Sequence, residues 1–301
     1  MSILLEVKDL TKSYGQETAA DNISFTLDEH TSTALIGPNG AGKTTTLSML
    51  AGLVSPTKGT IALNKNKQSD IREIIGFLPQ YPKFFPWLSA LEFTEMAARL
   101  SGVETKKATQ EARKTLEFVG LGDEMKKKTS AFSGGMKQRL GLAQAIVHKP
   151  KLLLLDEPVS ALDPVGRRQV MNLLKELQAE TTILYSTHIL NDAEEMTDQL
   201  LFLRQGTLVE QGSLEDVRNR YAKPRILIEF EKPEDVNRFK ALVPWELTII
   251  GQTITIDTVV EKVEMPAVLA LLHNEGFSIQ KVERQTASLE EIFMEVAVIQ
   301  S

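Results

Sequence analysis

An α/β fold followed by a small α+β unit is what this sequence predicts, and three observations carry the prediction. An apolar run at residues 33–36 leads straight into a glycine-rich turn and then into a helical pattern from Thr45 to Ala51. A second all-apolar run, residues 152–155, has the unbroken character of a strand buried on both faces of a parallel sheet. Strand and helix patterns alternate up to about residue 221, and a shorter β-α-β-β-α-β order follows.

Strands are expected at residues 4–7, 23–27 and 33–36, followed by the glycine-rich loop and its helix. A turn at Ser55-Pro-Thr-Lys-Gly59 precedes strands near 60–63 and 74–78. Leu91, Met96, Ala97, Leu100, Leu116 and Val119 then fall at helical spacing, which predicts a helical insertion over about 82–132. The next helix runs from about Gly135 through Leu140, Ala143 and Ile146 to His148, with Pro150 marking the boundary. Strand 152–155, helix 164–179, strand 182–185, a short helix after Thr187 and a hairpin around Gln205-Gly206 complete this part. A break at Tyr221-Ala-Lys-Pro224 separates the expected domains, 1–221 and 222–301.

Beyond the break, strands at 225–231, 245–250, 253–257 and 278–282 alternate with helices at 234–242 and 265–275. This is the order of a ferredoxin-like unit. A last helix starts at Ser288, and Glu291 three residues on makes a capping box. No catalytic constellation is visible in this part, so a docking, dimerisation or regulatory module is expected.

At 301 residues the chain is long enough for two domains of roughly 150 residues. Its 34 basic and 40 acidic residues give a net charge of −6, so no phosphate-tracking surface is advertised and no nucleic-acid partner is expected. The absence of cysteine excludes disulfides, thiolate metal sites and thiol redox chemistry. The N-terminal Met1-Ser-Ile-Leu-Leu-Glu6 lacks the basic region and long apolar core of a signal peptide. The densest apolar run, 152–155, is far below the ~20 residues that span a bilayer. A soluble, cytoplasmic protein is expected, at a membrane only if a partner brings it there.

Two segments carry chemistry on their own. Gly37, Pro38, Asn39, Gly40, Ala41, Gly42, Lys43 and Thr44 fit G-x-x-x-x-G-K-[ST], in the strand-loop-helix context that motif requires, with Thr45 continuing the helix. The glycines let backbone N–H groups turn inward on an oxyanion at a helix N-terminus. Lys43 would reach the β- and γ-phosphates of a nucleoside triphosphate, and Thr44 would offer its hydroxyl to Mg²⁺. The bland alternative is an ordinary glycine-rich turn. The second segment, Leu152-Leu-Leu-Leu-Asp156-Glu157-Pro158, puts two acids at the end of a buried strand, where open α/β sheets bind ligands. Asp156 would hold Mg²⁺ through its water shell, and Glu157 would point at the water attacking the γ-phosphate. Two acids capping the next helix are the alternative there.

With these residues in place, residues 4–215 resemble the ATP-binding cassette subunit of an ABC transporter. The decisive segment is Ser133-Gly-Gly-Met-Lys-Gln-Arg139, similar to the family's signature loop. Ser133, Gly134 and Gly135 open a helix and make a second anion-binding N-terminus. The resemblance implies that this end serves the ATP held by a partner subunit, in a head-to-tail homodimer or heterodimer with two composite sites. Phe132 and Met136 depart from the usual leucine and glutamine, but the serine and glycine chemistry is kept. Other roles come from the resemblance residue by residue. Gln80 is similar to the glutamine linking Mg²⁺ and the attacking water to the helical subdomain. Asp163, in Ser160-Ala-Leu-Asp163, is similar to the D-loop aspartate at the dimer interface. His188 is similar to the switch histidine at the γ-phosphate, and Tyr14 to the aromatic that stacks on adenine. His30, His148 and His273 are expected to be structural.

The resemblance also implies ATP as substrate, Mg²⁺ as cofactor, and an integral membrane permease subunit that holds this chain at the inner face of the cell membrane. The aromatic run Pro82-Lys-Phe-Phe-Pro-Trp-Leu88 lies where the family engages that subunit, unless Phe84, Phe85 and Trp87 fill the core of the insertion. The tail Ser288-Leu-Glu-Glu-Ile-Phe-Met-Glu-Val296 resembles drug- and antibiotic-resistance-type (ABC-2) exporters. A soluble ABC ATPase of the ribosome or nucleic acid would need two cassettes or a long coiled coil, and neither is in the sequence. A small-molecule kinase would need neither the Ser-Gly-Gly loop nor the Asp-Glu-Pro end. An ATP-gated regulatory subunit is disfavoured by the complete set Lys43, Asp156, Glu157 and His188.

Overall fold

The first strand runs well past the apolar stretch that predicts it. In the computed structural model, which describes residues 2–63, 71–160, 162–221, 224–285 and 287–298, β1 spans Ile3–Tyr14 and β2 spans Glu17–Asp28. The predicted segments 4–7 and 23–27 hold most of the buried apolar side chains of this hairpin. The remainder is held by main-chain pairing that persists, through several register shifts, from Ile3↔Asp28 to Tyr14↔Glu17. Gly15, at φ 62°, permits the tight turn. Next come β3 (Ser32–Ile36), α1 (Lys43–Leu50) and β4 (Lys58–Leu63), which returns to pair antiparallel with β1 in a sheet ordered β2-β1-β4.

After β5 (Ile75–Leu78) the insertion forms α2 (Ala90–Leu100) and α3 (Thr105–Phe118), parted at Gly102 with φ 84°. The buried face of α2 is Ala90, Phe93, Thr94, Ala97 and Ala98. The helical spacing read from the sequence holds in both helices; Ala97 and Leu116 are buried, whereas Leu100 is 81% exposed and Leu91 and Met96 are half-buried, because Phe93 and the small alanines carry the packing of α2. Ser89 caps α2 through a reciprocal box with Glu92.

The chain continues with α4 (Gly134–Ile146), β6 (Leu152–Asp156), α5 (Pro164–Gln178), β7 (Thr182–Thr187), α6 (Leu190–Met196), β8 (Gln199–Arg204) and β9 (Thr207–Ser213). The turn between β8 and β9 has positive φ at both Gln205 and Gly206, which matches a two-residue hairpin. Six strands form one sheet in the order β5-β6-β7-β3-β8-β9, parallel except for β9. Every residue of β3, β6 and β7 is buried, as a sheet covered on both faces requires. Because β6, β7 and β3 are neighbours, their carboxyl ends bring Asp156, Thr187 and Ile36 to one edge.

A helix, α7 (Leu214–Arg220), precedes a four-stranded antiparallel sheet built from β10 (Arg225–Phe230), β11 (Leu247–Ile250), β12 (Thr253–Asp257) and β13 (Ile279–Gln285). Its order, β11-β12-β10-β13, with α8 (Pro233–Leu242) and α9 (Met265–Asn274) interleaved, is the ferredoxin-like arrangement. Ile226, Ile228, Phe230, Ile254 and Ile256 form a separate core with Phe239, Val268 and Phe277. The last helix, α10 (Leu289–Val298), is capped by reciprocal bonds between Ser288 and Glu291. The chain divides into two compact units, Met1–Leu214 and Glu215–Ser301. The break expected at 221–224 includes Ala222 and Lys223, which lie outside the described residues.

Candidate nucleotide site

Gly37 follows the last residue of β3 at a place where a side chain has no room. A Cβ there would sit 2.4 Å from the Leu203 carbonyl oxygen. Gly42, the residue before α1, has φ 98°, and a Cβ on it would meet the Ala19 carbonyl oxygen at 2.3 Å. Glycine is therefore dictated twice, once by close approach and once also by backbone conformation. No side chain caps α1, which leaves its first N–H groups available to an anion. Gly42 and the start of α1 line a cavity of about 660 Å³ whose wall runs from Asn39 to Thr45 and includes Glu17, Thr18, Ala19, Gln80, Glu157 and Gln205.

Lys43 is 6% exposed, and its Nζ donates to the carbonyl oxygens of Gly37 at 2.7 Å and Pro38 at 3.1 Å. Burial lowers the pKa of this ammonium from its ordinary value, and the charges of Glu157 and Asp156 partly oppose that shift. Thr44 Oγ1 donates to Asp156 Oδ2 at 2.8 Å. The other oxygen of Asp156 accepts from Ser186 Oγ at 2.6 Å, and Ser186 Oγ in turn accepts the Glu157 N–H at 2.9 Å. Ser186 is thus the joint between the two acids. The sequence reading missed it because strand β7 was expected to stop at residue 185, two residues short of its actual end.

Glu157 has φ 48°, a left-handed conformation that costs a non-glycine residue roughly 1–3 kcal/mol. From there its carboxylate accepts Gln80 Nε2 at 2.9 Å on one oxygen and faces His188 Nδ1 at 3.1 Å on the other. The structure therefore brings residues 37–45, Gln80, Asp156, Glu157 and His188 together. Tyr14 stands at the end of β1, 52% exposed, with the Lys12 ammonium 4.9 Å from its ring centroid. Tyr14 is not in the cavity wall, but its strand partner Glu17 is.

Ser133, Gly134, Gly135 and Asp163 do not line this cavity. Ser133 caps α4 by accepting the Met136 N–H at 3.3 Å. A Cβ at Gly134 would meet nothing within 4 Å, so this helix end is open. Asp163 caps α5 through the Gly166 N–H at 3.0 Å, and the neighbouring Ala161 lies outside the described residues. The aromatic run divides: Phe84 packs edge-on to Phe93, while Tyr81, Phe85 and Trp87 are 74%, 45% and 65% exposed.

A nucleoside triphosphate with Mg²⁺ fits these residues. A buried ammonium lies beside an uncapped helix N-terminus, and a hydroxyl and a carboxylate converge at hydrogen-bond distance. Among the described residues, no cluster of three or more His, Cys, Asp or Glu could hold a metal alone. A cation here would thus complete its shell with phosphate oxygens and water, the habit of Mg²⁺ at nucleotide sites.

A family model described as ABC transporter matches residues 20–160, and one described as ATP-binding protein DrrA1-3-like, C-terminal domain, matches 212–297. The uncharacterized ABC transporter ATP-binding protein YxlF of Bacillus subtilis is 42% identical over 97% of this chain and 99% of its own length. The bacitracin transport ATP-binding protein BcrA of Bacillus licheniformis is 34% identical over 98% of both. Among solved structures, an ATP-binding subunit of an ABC transporter superposes with TM-score 0.66 at 32% identity, over 72% of this chain and 93% of that one. A dimeric ATP-binding cassette in a post-hydrolysis state with ADP and Pi gives 0.64 at 28% identity, over 70% and 99%.

Proposed function

The chain belongs to the ATP-binding proteins of ABC transporters, a family of ATPases, and on that premise we propose that it drives an exporter by closing and opening a head-to-tail dimer on ATP. The observation that carries the proposal is the Glu157 carboxylate held between Gln80 and His188, beside the Thr44–Asp156 pair. Lys43 and the N–H groups of residues 39–45 would bind the phosphates, with Tyr14 against the adenine. Bound Mg²⁺ would supply positive charge to offset the negative charge of the phosphates. Thr44 and Asp156 would hold it, with Gln80 at its edge. Glu157 would orient and deprotonate the attacking water, and His188 would hold the γ-phosphate side of the site. Ser133, Gly134, Gly135 and Asp163 lie outside the chain's own cavity, which supports their serving a second protomer.

The exposed Tyr81, Phe85 and Trp87 follow Gln80 directly, which supports docking of a separate membrane-spanning permease at that surface. No helix among the described residues is long and apolar enough to cross a membrane. The protein would then sit on the inner face of the cell membrane through the permease, with no role for nucleic acid. Relatives named for bacitracin transport, linearmycin resistance and lantibiotic transport support export. Residues 1–221 would be the ATP-binding domain and 222–301 an accessory module for regulation or dimerisation. Affinity purification of the tagged chain from gently solubilised membranes of its host tests the partner. A stoichiometric polytopic membrane protein is expected; recovery of ribosomal proteins or nucleic acid in its place contradicts the proposal.

A further inference from the structure

The backbone that carries Glu157 is fixed at three successive polar atoms, the first and third of them by side chains of other elements. The Glu157 N–H is held by Ser186, and the Glu157 carbonyl accepts from Ser160 N at 3.3 Å and Ser160 Oγ at 3.2 Å. Pro158 has no N–H, so its carbonyl is the one polar backbone group by which that buried residue can be held. Gln138, on α4 and 5% exposed, donates its Nε2 to that carbonyl at 2.8 Å. A Cβ at Gly135, on the same helix, would lie at an ordinary van der Waals distance of 3.6 Å from Leu162 Cδ2, so the two segments run side by side.

These contacts explain how a glutamate followed by proline stays in the left-handed region, a conformation that persists where its surroundings over-determine it. The geometry points to Gln138 as a positioning residue for Glu157: by fixing the Pro158 carbonyl it keeps the carboxylate where Gln80 and His188 meet it. Gln138 lies one turn into the helix that opens at Ser133-Gly134-Gly135. The same bond therefore ties the end offered to a partner's nucleotide to the chain's own hydrolytic carboxylate. This inference rests on the ATPase reading above.

The test uses the full chain with Gln138→Leu, which removes the donor at similar bulk, and Gln138→Glu, which replaces the donor by an acceptor. Fluorescent-nucleotide titration, thermal melting and steady-state ATP hydrolysis are measured for each. We expect nucleotide affinity and KM within about twofold of wild type and kcat lower by roughly tenfold to a hundredfold, the loss of one buried hydrogen bond to the reacting group's support. In a Glu157→Gln background the same Gln138→Leu change should lower residual turnover less than about twofold, since residues acting through one another are not additive. Turnover near wild type in both single variants, or an undiminished loss in the Glu157→Gln background, overturns the inference. Wild-type protein that neither binds nor hydrolyses ATP overturns the ATPase reading instead, and the inference with it.

Discussion

His148 shows how a single side chain links fold to solution behaviour. Its Nε2 lies 3.1 Å from the Ile75 carbonyl oxygen, so that nitrogen carries the proton, while Nδ1 is buried without a hydrogen-bond partner. Burial lowers its pKa below the ordinary histidine value. The sign follows directly. Below about pH 6.5 the unfolded chain takes up a proton that the folded chain resists, so stability falls as pH falls through that window. His148→Gln should flatten the dependence of Tm on pH between about pH 7 and 5, and an unchanged slope would contradict this assignment. The sequence placed His148 as structural, and Lys43, Thr44, Asp156 and Glu157 as chemical, because glycine spacing and strand-end acids are backbone patterns. Ser186 and Gln138 carry no such pattern: their roles depend on which carbonyl or carboxylate the fold brings near them.

At the scale of elements, close packing of main chain against main chain decides what sequence periodicity leaves open. Gly76 in β5 faces α4 so closely that a Cβ would lie 2.0 Å from the Ala145 carbonyl oxygen. Gly76→Ala should therefore lower stability by about 1–3 kcal/mol through overpacking, read as a lower Tm or denaturation midpoint. A variant as stable as wild type would show that β5 and α4 can separate without cost. Buried strands were legible because their residues are apolar without interruption, as in β3 and β6. The outer halves of β1 and β2 were not, since pairing rather than apolar content extends them. In α2 the spacing of Leu91, Met96, Ala97 and Leu100 made the helix legible but not its buried face, which Phe93 anchors with its ring centroid 5.0 Å from that of Phe84. That contact joins two residues nine positions apart, beyond the reach of a helical period.

Among the described residues one hydrophobic core lies under the β1–β9 strands and another in the C-terminal sheet, while a small third cluster of Ala97, Ala98, Ala108 and Val147 packs within the helical insertion and the end of α4. Alternating strand and helix patterns made both architectures legible. The placement of α7 was not, since a short polar helix looks much the same on either side of a boundary. The resemblance implied that Ser133, Gly134 and Gly135 serve a partner's ATP, and in the fold they stand outside the cavity lined by residues 39–45. It is this separation that calls for a second copy, and it makes dimer closure the central claim. The most direct measurement is light scattering coupled to size exclusion on the Glu157→Gln chain with ATP and, separately, with ADP. The account predicts a dimer with ATP that falls to monomer with ADP, together with turnover reduced at least roughly a hundredfold, the scale of losing a group that acts in proton transfer. A Glu157→Gln monomer under both nucleotides, hydrolysing ATP at the wild-type rate, would contradict it.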